Sequence, residues 1–318
     1  MIQRRPRFPQ AEDDYPVVTL EDTDKPLPKR INPHTRYAYF KTIARGGRSI
    51  IQSCKDLHLM RVVCYKTLKP EFAEDADHQR RFVREARVSA MLQHPNTVPT
   101  YEIGRDMVGH YYFTMKLVHG YTLREIFDFR ERYDLTRLVE VVIQVGHALE
   151  YAHGHGVAHR DIKPENVLVG PFGEVLLMDW GLAKVWHPDG EAEAVDRTAA
   201  GAQGNRRTDV TDQGLEGTIS YMSPEQIRND GELDYRTDIY SLGAVLYEVL
   251  TGRPPVVGET VDEILNQTLA GDLAPPSQVA NTLVPSRLET ICMQCLRLAA
   301  DERIQTAGEL IRELQEDW

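Results

Sequence analysis

The middle of the chain carries a polar octapeptide, His-Arg-Asp-Ile-Lys-Pro-Glu-Asn at 159–166, between two apolar stretches. A short apolar run follows it and leads into Asp-Trp-Gly at 179–181. Phosphoryl transfer requires positioned charges: a carboxylate near the attacking hydroxyl, and oxygen ligands for Mg²⁺. Asp161, Asn166 and Asp179 can supply these groups. This ordered pair of motifs constrains the fold and the chemistry more than any other feature of the sequence.

Both motifs resemble those of the protein kinase family, in its eukaryotic-like, bacterial-type serine/threonine form, and the resemblance covers residues 37–316. It implies a bilobal α+β fold, in which a small antiparallel β-sheet with one long helix precedes a larger, mainly helical lobe. It also implies transfer of the ATP γ-phosphoryl group to serine or threonine hydroxyls of proteins, with Mg²⁺ or, in its place, Mn²⁺.

The resemblance assigns roles to the matching residues. The aspartate at the position of Asp161 orients the substrate hydroxyl and accepts its proton, and the residues matching Asn166 and Asp179 hold the metal ions. Lys163, two residues after the aspartate, matches the lysine that contacts the transferred phosphate, and it resembles the serine/threonine rather than the tyrosine kinases.

Val-Cys-Tyr-Lys at 63–66 stands where the third strand of the family carries its phosphate-binding lysine, and Glu85 follows on a predicted helix. An ammonium alone has little orientation, so a carboxylate is needed to aim Lys66 at the α- and β-phosphates. The resemblance therefore implies a Lys66–Glu85 pair. Taken alone, each residue would be an ordinary solvated surface charge.

The phosphate-covering loop, 43–51, departs from the family pattern. Only the middle one of three glycines is matched, by Gly46, because Ala44 and Ser49 replace the others. Glycine lets backbone amides approach phosphate and permits positive φ. The sequence therefore predicts weakened nucleotide binding, with a pseudokinase scaffold of little or no turnover as the alternative.

The resemblance also implies an adenine pocket, since adenine needs an apolar slot and backbone hydrogen bonds. The carbonyl of Lys116 and the amide of Val118 would be its hydrogen-bond partners. The nucleotide-binding residues expected in this way are Ile43, Gly46, Ile51, Cys64, Lys66, Met115, Lys116, Val118 and Leu168.

Residues 217–225 resemble the end of the activation segment of the family. Thr218 is expected to bridge two residues of the catalytic loop, and Glu225 to pair with Arg303. Asp238 matches the position that caps the backbone of the catalytic loop. These residues are expected to support the site.

Arg160 precedes the catalytic aspartate, and in the family such an arginine binds a phosphate on the activation loop. A phosphothreonine offers charge-assisted contacts that order a loop. Thr208 and Thr211 are the candidates for autophosphorylation, with Lys184 as a second cation. Alternatively, arginines and aspartates within 206–212 pair with each other and no modification is needed.

The net charge and the composition of the chain limit the classes of molecule that it can bind. The formal net charge is −11, so the chain as a whole should repel nucleic acid and anionic membranes. Four scattered cysteines are too few for a disulfide framework and fit a reducing cytosol. No apolar run reaches the roughly 18 residues of a membrane helix. We expect a cytoplasmic domain, or the cytosolic part of a longer membrane-anchored kinase, that acts on proteins and associates with a second copy for trans-autophosphorylation.

Periodicity predicts the organisation of the chain. Prolines and acidic clusters predict a disordered arm at 1–36. Strands are expected at 37–43, 49–54, 62–67, 97–103 and 111–117, with a helix at 76–92. Further helices are expected at 123–132, 135–154, 239–251, 261–270, 288–298 and 306–316. The kinase domain is thus expected at 37–316, with lobes at 37–115 and 121–316 and a hinge at 116–120.

Two rival functions remain open from the sequence. Intact Lys66, Asp161, Asn166 and Asp179 argue against the pseudokinase. Phosphorylation of a small molecule on the same fold is the other rival, and the peptide-docking segment that ends at Glu225 argues against it.

Overall fold

The computed structural model describes residues 25–27, 35–129, 133–186, 219–229 and 233–318. These residues form two compact units. The first contains the described residues up to 93, with 97–120 and 170–173, and the second contains 94–96, 121–169 and those from 174 onward. Of the arm predicted at 1–36, all but 25–27, 35 and 36 lies outside the described residues.

The first unit is built on a five-stranded antiparallel sheet with the strand order β1-β2-β3-β5-β4. Its strands are β1 (Tyr37–Arg45), β2 (Ser49–Asp56), β3 (Arg61–Leu68), β4 (Thr100–Arg105) and β5 (Tyr111–Lys116). Between β3 and β4 lie the short helix α1 (Pro70–Ala73) and the long helix α2 (Ala76–Met91). The predicted antiparallel sheet with one long helix is confirmed. β4 begins later than predicted, because the Thr97 hydroxyl donates to the Leu92 carbonyl beyond the end of α2 (2.7 Å).

Strand register determines which side chains share a face of this sheet. Ile51 lies opposite Lys66, which in turn lies opposite Phe113. Cys64 lies opposite Met115. Directly opposed residues, and residues two apart in one strand, project from the same face. These five side chains therefore share one face, which is also the face that packs against α2.

The opposite face carries an aromatic cluster. The rings of Tyr65 and Tyr112 are stacked with centroids 4.6 Å apart, and Tyr37 meets both of them edge-on. Cys54 and Val63 are buried beneath these rings. Both faces of the sheet are thus covered by apolar side chains, which explains the nearly continuous burial along β3.

Helix α2 begins after a polar N-cap residue and buries the apolar residues along one of its sides. The Asp75 carboxylate accepts hydrogen bonds from two first-turn amides. Phe82, Ala86 and Val88 are buried, and the Phe82 ring lies 5.0 Å from a phenylalanine ring of β5. Ala90 is exposed, and the buried side of the last turn passes through Val88.

The second unit is mainly helical. Its strands are β6 (Tyr121–Thr122), β7 (Val157–Ala158), β8 (Val167–Val169), β9 (Val175–Leu177) and β10 (Lys184–Val185). Its helices are α3 (Leu123–Phe127), α4 (Leu135–Gly154), α5 (Pro224–Arg228), α6 (Arg236–Thr251), α7 (Val261–Ala270), α8 (Pro276–Val279), α9 (Ser286–Cys295) and α10 (Ala307–Gln315). β6, β8 and β9 form one antiparallel sheet, and β7 pairs with β10. Among the helices of the described ranges, none is long and apolar enough to cross a membrane.

Helix α3 ends earlier than the sequence predicts. The pattern predicted a helix up to 132, but α3 ends at Phe127. The side chain of Asp134 accepts from the Arg137 amide and thereby caps α4. A cap residue has extended rather than helical backbone, so the chain leaves the helical conformation before α4 begins.

Helix α6 is the centre of the second unit, since every residue from Thr237 to Leu250 is buried. Helices α4 and α9 pack against it, and α10 packs on α4. α6 approaches α9 so closely that a Cβ on Gly243 would lie nearer to the Cys295 side chain than real contacts allow. A glycine is therefore required at this crossing.

This crossing yields a stability prediction. Gly243→Ala should lower the free energy of unfolding by about 1–3 kcal/mol, because the added methyl overpacks the α6–α9 contact. The melting temperature should fall by about 3 °C or more, measured by calorimetry or circular dichroism.

Gly154→Ala is the matched control, since Gly154 ends α4 and an added Cβ would meet nothing within 4 Å. Alanine is the better helix former, so this variant should melt at or slightly above the wild-type temperature. Equal destabilisation by the two substitutions would contradict the assignment of the α6–α9 contact.

Candidate functional site

In the first unit, β3 and α2 bring the two predicted charges together. The Lys66 ammonium donates to the Glu85 carboxylate in a largely buried ion pair, with side chains 10% and 12% exposed. The ammonium also lies 5.7 Å from the centre of the Phe113 ring. A lysine held by a carboxylate and an aromatic face has little freedom to swing, which is what aiming an ammonium at a phosphate requires.

The residues of the first unit that the sequence predicts to bind nucleotide lie mainly on its sheet. Ile51, Cys64 and Met115 share the face of Lys66, whereas Ile43 is largely exposed on β1 beside an irregularity in strand pairing. Four side chains of the predicted set thus form one surface.

The expected hydrogen-bonding segment follows directly on β5. Lys116 ends the strand, and its amide donates to the Pro99 carbonyl (2.9 Å). Val118 lies just beyond it in an irregular stretch. Leu168, the predicted residue from the second unit, is half-buried on β8.

The loop between β1 and β2 closes through the Gly46 amide, which donates to the Ser49 carbonyl (2.9 Å). Neither Gly46 nor Gly47 has positive φ, so the conformational freedom expected of glycine is not used here. A Cβ at Gly46 would make only ordinary contacts, and one at Gly47 would meet nothing within 4 Å. Ala44 and Ser49, which replace glycines of the family, do not have positive φ either, so this backbone accommodates their side chains without strain in φ.

In the second unit, Asp161 is held by two neighbours from its own loop. The Lys163 ammonium donates to both carboxylate oxygens (3.1 and 2.9 Å). The Asn166 amide nitrogen donates to the Asp161 carbonyl (2.8 Å) and to the carboxylate (3.0 Å). A 3₁₀ turn, Pro164–Asn166, brings the asparagine back towards the aspartate. The three predicted residues thus form one hydrogen-bonded group.

The Asp161 side chain is only 11% exposed, and the pKa of its carboxyl lies above the usual value. Burial raises its pKa, the Lys163 ammonium opposes that rise, and the negative charge of Asp179 adds to it. The neighbouring ammonium therefore does much to keep this carboxylate available as a proton acceptor.

Asp179 adopts a left-handed backbone conformation (φ 63°), and its side chain accepts from the Gly181 amide. The preceding Met178 amide donates to the Asn166 carbonyl (2.8 Å), which ties this segment to the catalytic loop. Because the Asn166 amide nitrogen is engaged with Asp161, its oxygen is the atom suited to a cation. Carboxylate and amide oxygens suit Mg²⁺, which completes its shell with phosphate oxygens and water, so these residues fit such an ion.

Trp180 is buried between these polar residues. Its ring meets the His159 ring edge-on, with centroids 4.6 Å apart. The His159 ring also hydrogen-bonds the Met178 carbonyl (2.9 Å). This contact fixes the first residue of the octapeptide against the segment that carries Asp179.

Asp238, at the start of α6, holds the backbone of the catalytic loop. It is fully buried and accepts from the amides of His159 (2.8 Å) and Arg160 (2.7 Å) and from the His153 ring (2.9 Å). Burial alone would raise its pKa, but these hydrogen bonds and nearby histidines hold the pKa below its usual value. Arg160 has positive φ (69°), a conformation that these bonds stabilise.

Glu225 and Arg303 form the ion pair expected from the sequence. Two parallel hydrogen bonds of 2.7 Å join them. The guanidinium also donates to the carbonyls of Arg297, Leu298 and Arg236. Bidentate geometry and satisfied donors make a buried arginine of this kind costly to replace.

Only some of the predicted regulatory residues lie in the described ranges. Thr208, Thr211 and Thr218 lie outside the described residues. Lys184 is buried on β10, where its ammonium approaches the Leu233 carbonyl (3.4 Å) and the Trp186 ring.

The sequence interpretation missed one residue of the site, Arg124. Arg124, on α3, donates to Glu165 of the octapeptide (2.9 Å), to Glu248 of α6 (2.6 Å) and to the Tyr221 hydroxyl. Glu248 stands alone among apolar residues in the second half of α6, and a buried glutamate needs a partner. That signal could have revealed the cluster, although not the identity of its cation.

The support of the catalytic loop can be tested with Asp238→Asn. The amide nitrogen would replace an oxygen that now faces N–H donors, so the free energy of unfolding should fall by about 1–3 kcal/mol. Urea unfolding monitored by fluorescence measures the loss.

Asp234→Asn is the control, because Asp234 forms a more exposed ion pair with Arg236, and such pairs contribute about 1 kcal/mol or less. If Asp238→Asn cost no more than this control, Asp238 would not have the supporting role assigned to it.

The protein kinase domain family matches residues 37–315 of the chain. Serine/threonine-protein kinase PknB of Mycolicibacterium smegmatis is 34% identical over 282 residues, which cover 88% of this chain and 42% of that protein. Serine/threonine-protein kinase PknB of Mycobacterium tuberculosis is 35% identical over 282 residues, with coverages of 88% and 42%. The chain spans about two fifths of the length of these relatives. With a match over most of its length, the chain belongs to the protein kinase domain family.

Proposed function

We propose that this domain transfers the γ-phosphoryl group of ATP to serine or threonine hydroxyls of proteins. The observation that carries the proposal is the hydrogen-bonded group of Asp161, Lys163 and Asn166. Two relatives at about a third identity are named serine/threonine-protein kinases, which supports the same reaction. The substrates and partners of the whole protein are part of this proposal.

In the proposed reaction, the substrate oxygen attacks the γ-phosphorus while the bond from that phosphorus to the β–γ bridging oxygen breaks. Asp161 orients the hydroxyl and receives its proton, and ADP leaves with the bridging oxygen. Lys163 stays beside Asp161, where its ammonium neutralises charge on the transferred group.

We assign nucleotide binding in the first unit to the surface around Lys66. Held by Glu85, the ammonium would bind the α- and β-phosphates. The apolar side chains of Ile51, Cys64 and Met115 share its face and suit the adenine ring. Further contacts are proposed for Ile43 and Gly46, for the Lys116 carbonyl and Val118 amide, and for Leu168 of the second unit.

We propose that Asn166 and Asp179 hold Mg²⁺, with Mn²⁺ as a substitute. A divalent ion neutralises charge on the phosphate oxygens. Its binding would also compensate the like charges of Asp161 and Asp179, which now disfavour each other.

The departures in the β1–β2 loop are compatible with turnover in this proposal. Ala44 and Ser49 replace family glycines, but neither adopts the positive φ that favours glycine. The Lys66–Glu85 pair and the Asp161 group favour a working enzyme over a pseudokinase. Autophosphorylation at Thr208 or Thr211, self-association for it, and a cytosolic setting remain predictions from the sequence.

The central test is Asp161→Asn with labelled ATP and a generic protein substrate. Turnover should fall by about 100-fold or more, because an amide cannot accept the hydroxyl proton. ATP affinity, measured by calorimetry, should change little, because Asp161 is proposed to act on the substrate.

Asp272→Asn, an exposed carboxylate on the same unit, should leave turnover unchanged. Collapse of ATP affinity in Asp161→Asn would show that this residue has another role. Wild-type protein that binds ATP but transfers no phosphate would instead establish the pseudokinase.

The metal assignment predicts that Asp179→Asn raises the Mg²⁺ concentration for half-maximal turnover by about tenfold or more, since the variant loses a charged ligand. Electron paramagnetic resonance of Mn²⁺ with an unreactive ATP analogue measures metal binding without turnover. Unaltered Mn²⁺ binding in Asp179→Asn would exclude Asp179 as a ligand.

A further inference from the structure

The Gln226 side chain joins the start of α5 to the catalytic loop. Its amide nitrogen donates to the Arg160 carbonyl (2.8 Å). Its amide oxygen accepts from the backbone amide (3.1 Å) and the hydroxyl (3.2 Å) of Ser223, the residue that caps α5. Gln226 directly follows residues 217–225, the segment that is expected to dock the substrate peptide. One side chain therefore binds both this segment and the loop that carries Asp161.

The two contacts of Gln226 call for an amide side chain. The Ser223 backbone amide is a donor and needs an oxygen opposite it, whereas the Arg160 carbonyl is an acceptor and needs an N–H group. Glutamine supplies both at the end of one side chain. A glutamate would keep the cap on α5 but would place an oxygen against the Arg160 carbonyl. A methionine of similar size would provide no donor.

The bond from Gln226 reaches the peptide group directly before the reacting carboxylate. The Arg160 carbonyl and the Asp161 amide belong to one planar peptide group. The Asp161 amide donates to His159 Nδ1 (3.2 Å), which can accept because the other nitrogen of that ring donates to the Met178 carbonyl (2.9 Å). This peptide group is therefore held on both sides, and Gln226 holds its carbonyl.

Adjacent residues of α6 hold the two segments that Gln226 joins. The Thr237 hydroxyl lies 2.6 Å from the Ser223 hydroxyl, and Asp238 accepts from the Arg160 amide (2.7 Å). Ser223, Thr237 and Asp238 are fully buried. A bridge between two segments that are fixed by one buried helix is precise, so Gln226 can hold the Arg160 carbonyl in one position.

We propose that Gln226 is a positioning residue of the phosphoryl-transfer reaction. By holding the Arg160 carbonyl, it orients the peptide group before Asp161, and thereby the carboxylate that receives the substrate proton. Small errors in the placement of a reacting group are costly in rate. Through Ser223, the same side chain ties the orientation of Asp161 to the segment expected to dock the peptide. The proposal rests on the proposed kinase function.

The first test measures kcat and KM separately with ATP and a generic peptide substrate. Gln226→Glu keeps an acceptor for Ser223 but loses the donor to Arg160, so kcat should fall by about tenfold, the effect of one hydrogen bond. KM for ATP and for the peptide should stay within about twofold, because Gln226 acts on neither. Gln278→Glu, the same change at an exposed position of α8, should leave kcat unchanged.

A double mutant tests whether Gln226 acts through Asp161. In Asp161→Asn the carboxylate is already absent, so adding Gln226→Glu should lower the residual turnover by less than about twofold. A side chain that only supports the fold would lower turnover by the same factor in both backgrounds. Single-turnover reactions with excess enzyme and labelled ATP measure the residual rate.

The third test needs no turnover. Amide hydrogen exchange, followed by NMR, reports the opening of hydrogen bonds at single residues. The Asp161 amide should exchange about tenfold faster in Gln226→Glu than in wild type, because its peptide group is then held on one side only. Gln278→Glu should match wild type. If Gln226→Glu does not fold, Gln226→Met, which adds no charge, takes its place in all three tests.

The outcomes separate the two proposals. Transfer by wild type with unchanged kcat in a folded Gln226 variant overturns the positioning role and leaves the kinase function standing. An equal fall in turnover with and without the Asp161 carboxylate overturns it as well. If wild type transfers no phosphate, the kinase function fails, and the exchange test alone decides whether Gln226 holds the peptide group before Asp161.

Discussion

The geometry of the catalytic loop depends on one carboxylate that water does not reach. Asp238 enters from the first turn of α6 and binds two successive amides of the loop, at His159 and Arg160. Those bonds stabilise the left-handed conformation of Arg160, which directly precedes Asp161. Since α6 is buried from end to end, Asp238 cannot shift without disturbing the core. The position of Asp161 is therefore set by helix packing as well as by the loop itself.

The helices and strands were predictable because each depends on a local sequence pattern. Helix α4 and the strands of the first sheet follow from periodicity, and the octapeptide places Asp161, Lys163 and Asn166 within one short loop. The carboxylate partners of Arg124 are 41 and 124 residues away, and no spacing rule connects them. The φ angles of the β1–β2 loop depended on backbone geometry that composition does not encode.

Three of the ion pairs in the described chain join separate elements, each through a basic side chain and a carboxylate. Lys66–Glu85 ties a strand to a helix, Glu225–Arg303 ties α5 to the segment before α10, and Arg124 joins α3 to α6. Their net contribution to stability is small for their number of contacts, because desolvation offsets much of their attraction. In this fold each of the three pairs fixes one segment relative to another.

The register of β3 places Cys64 on the same face as Lys66, and this has a consequence for covalent chemistry. Burial raises the pKa of its thiol to about 12, with the neighbouring ammonium opposing the rise only in part. Alkylating agents react with the thiolate, which is scarce at neutral pH for such a group. An electrophile directed at this face of the sheet would therefore meet a cysteine of low reactivity.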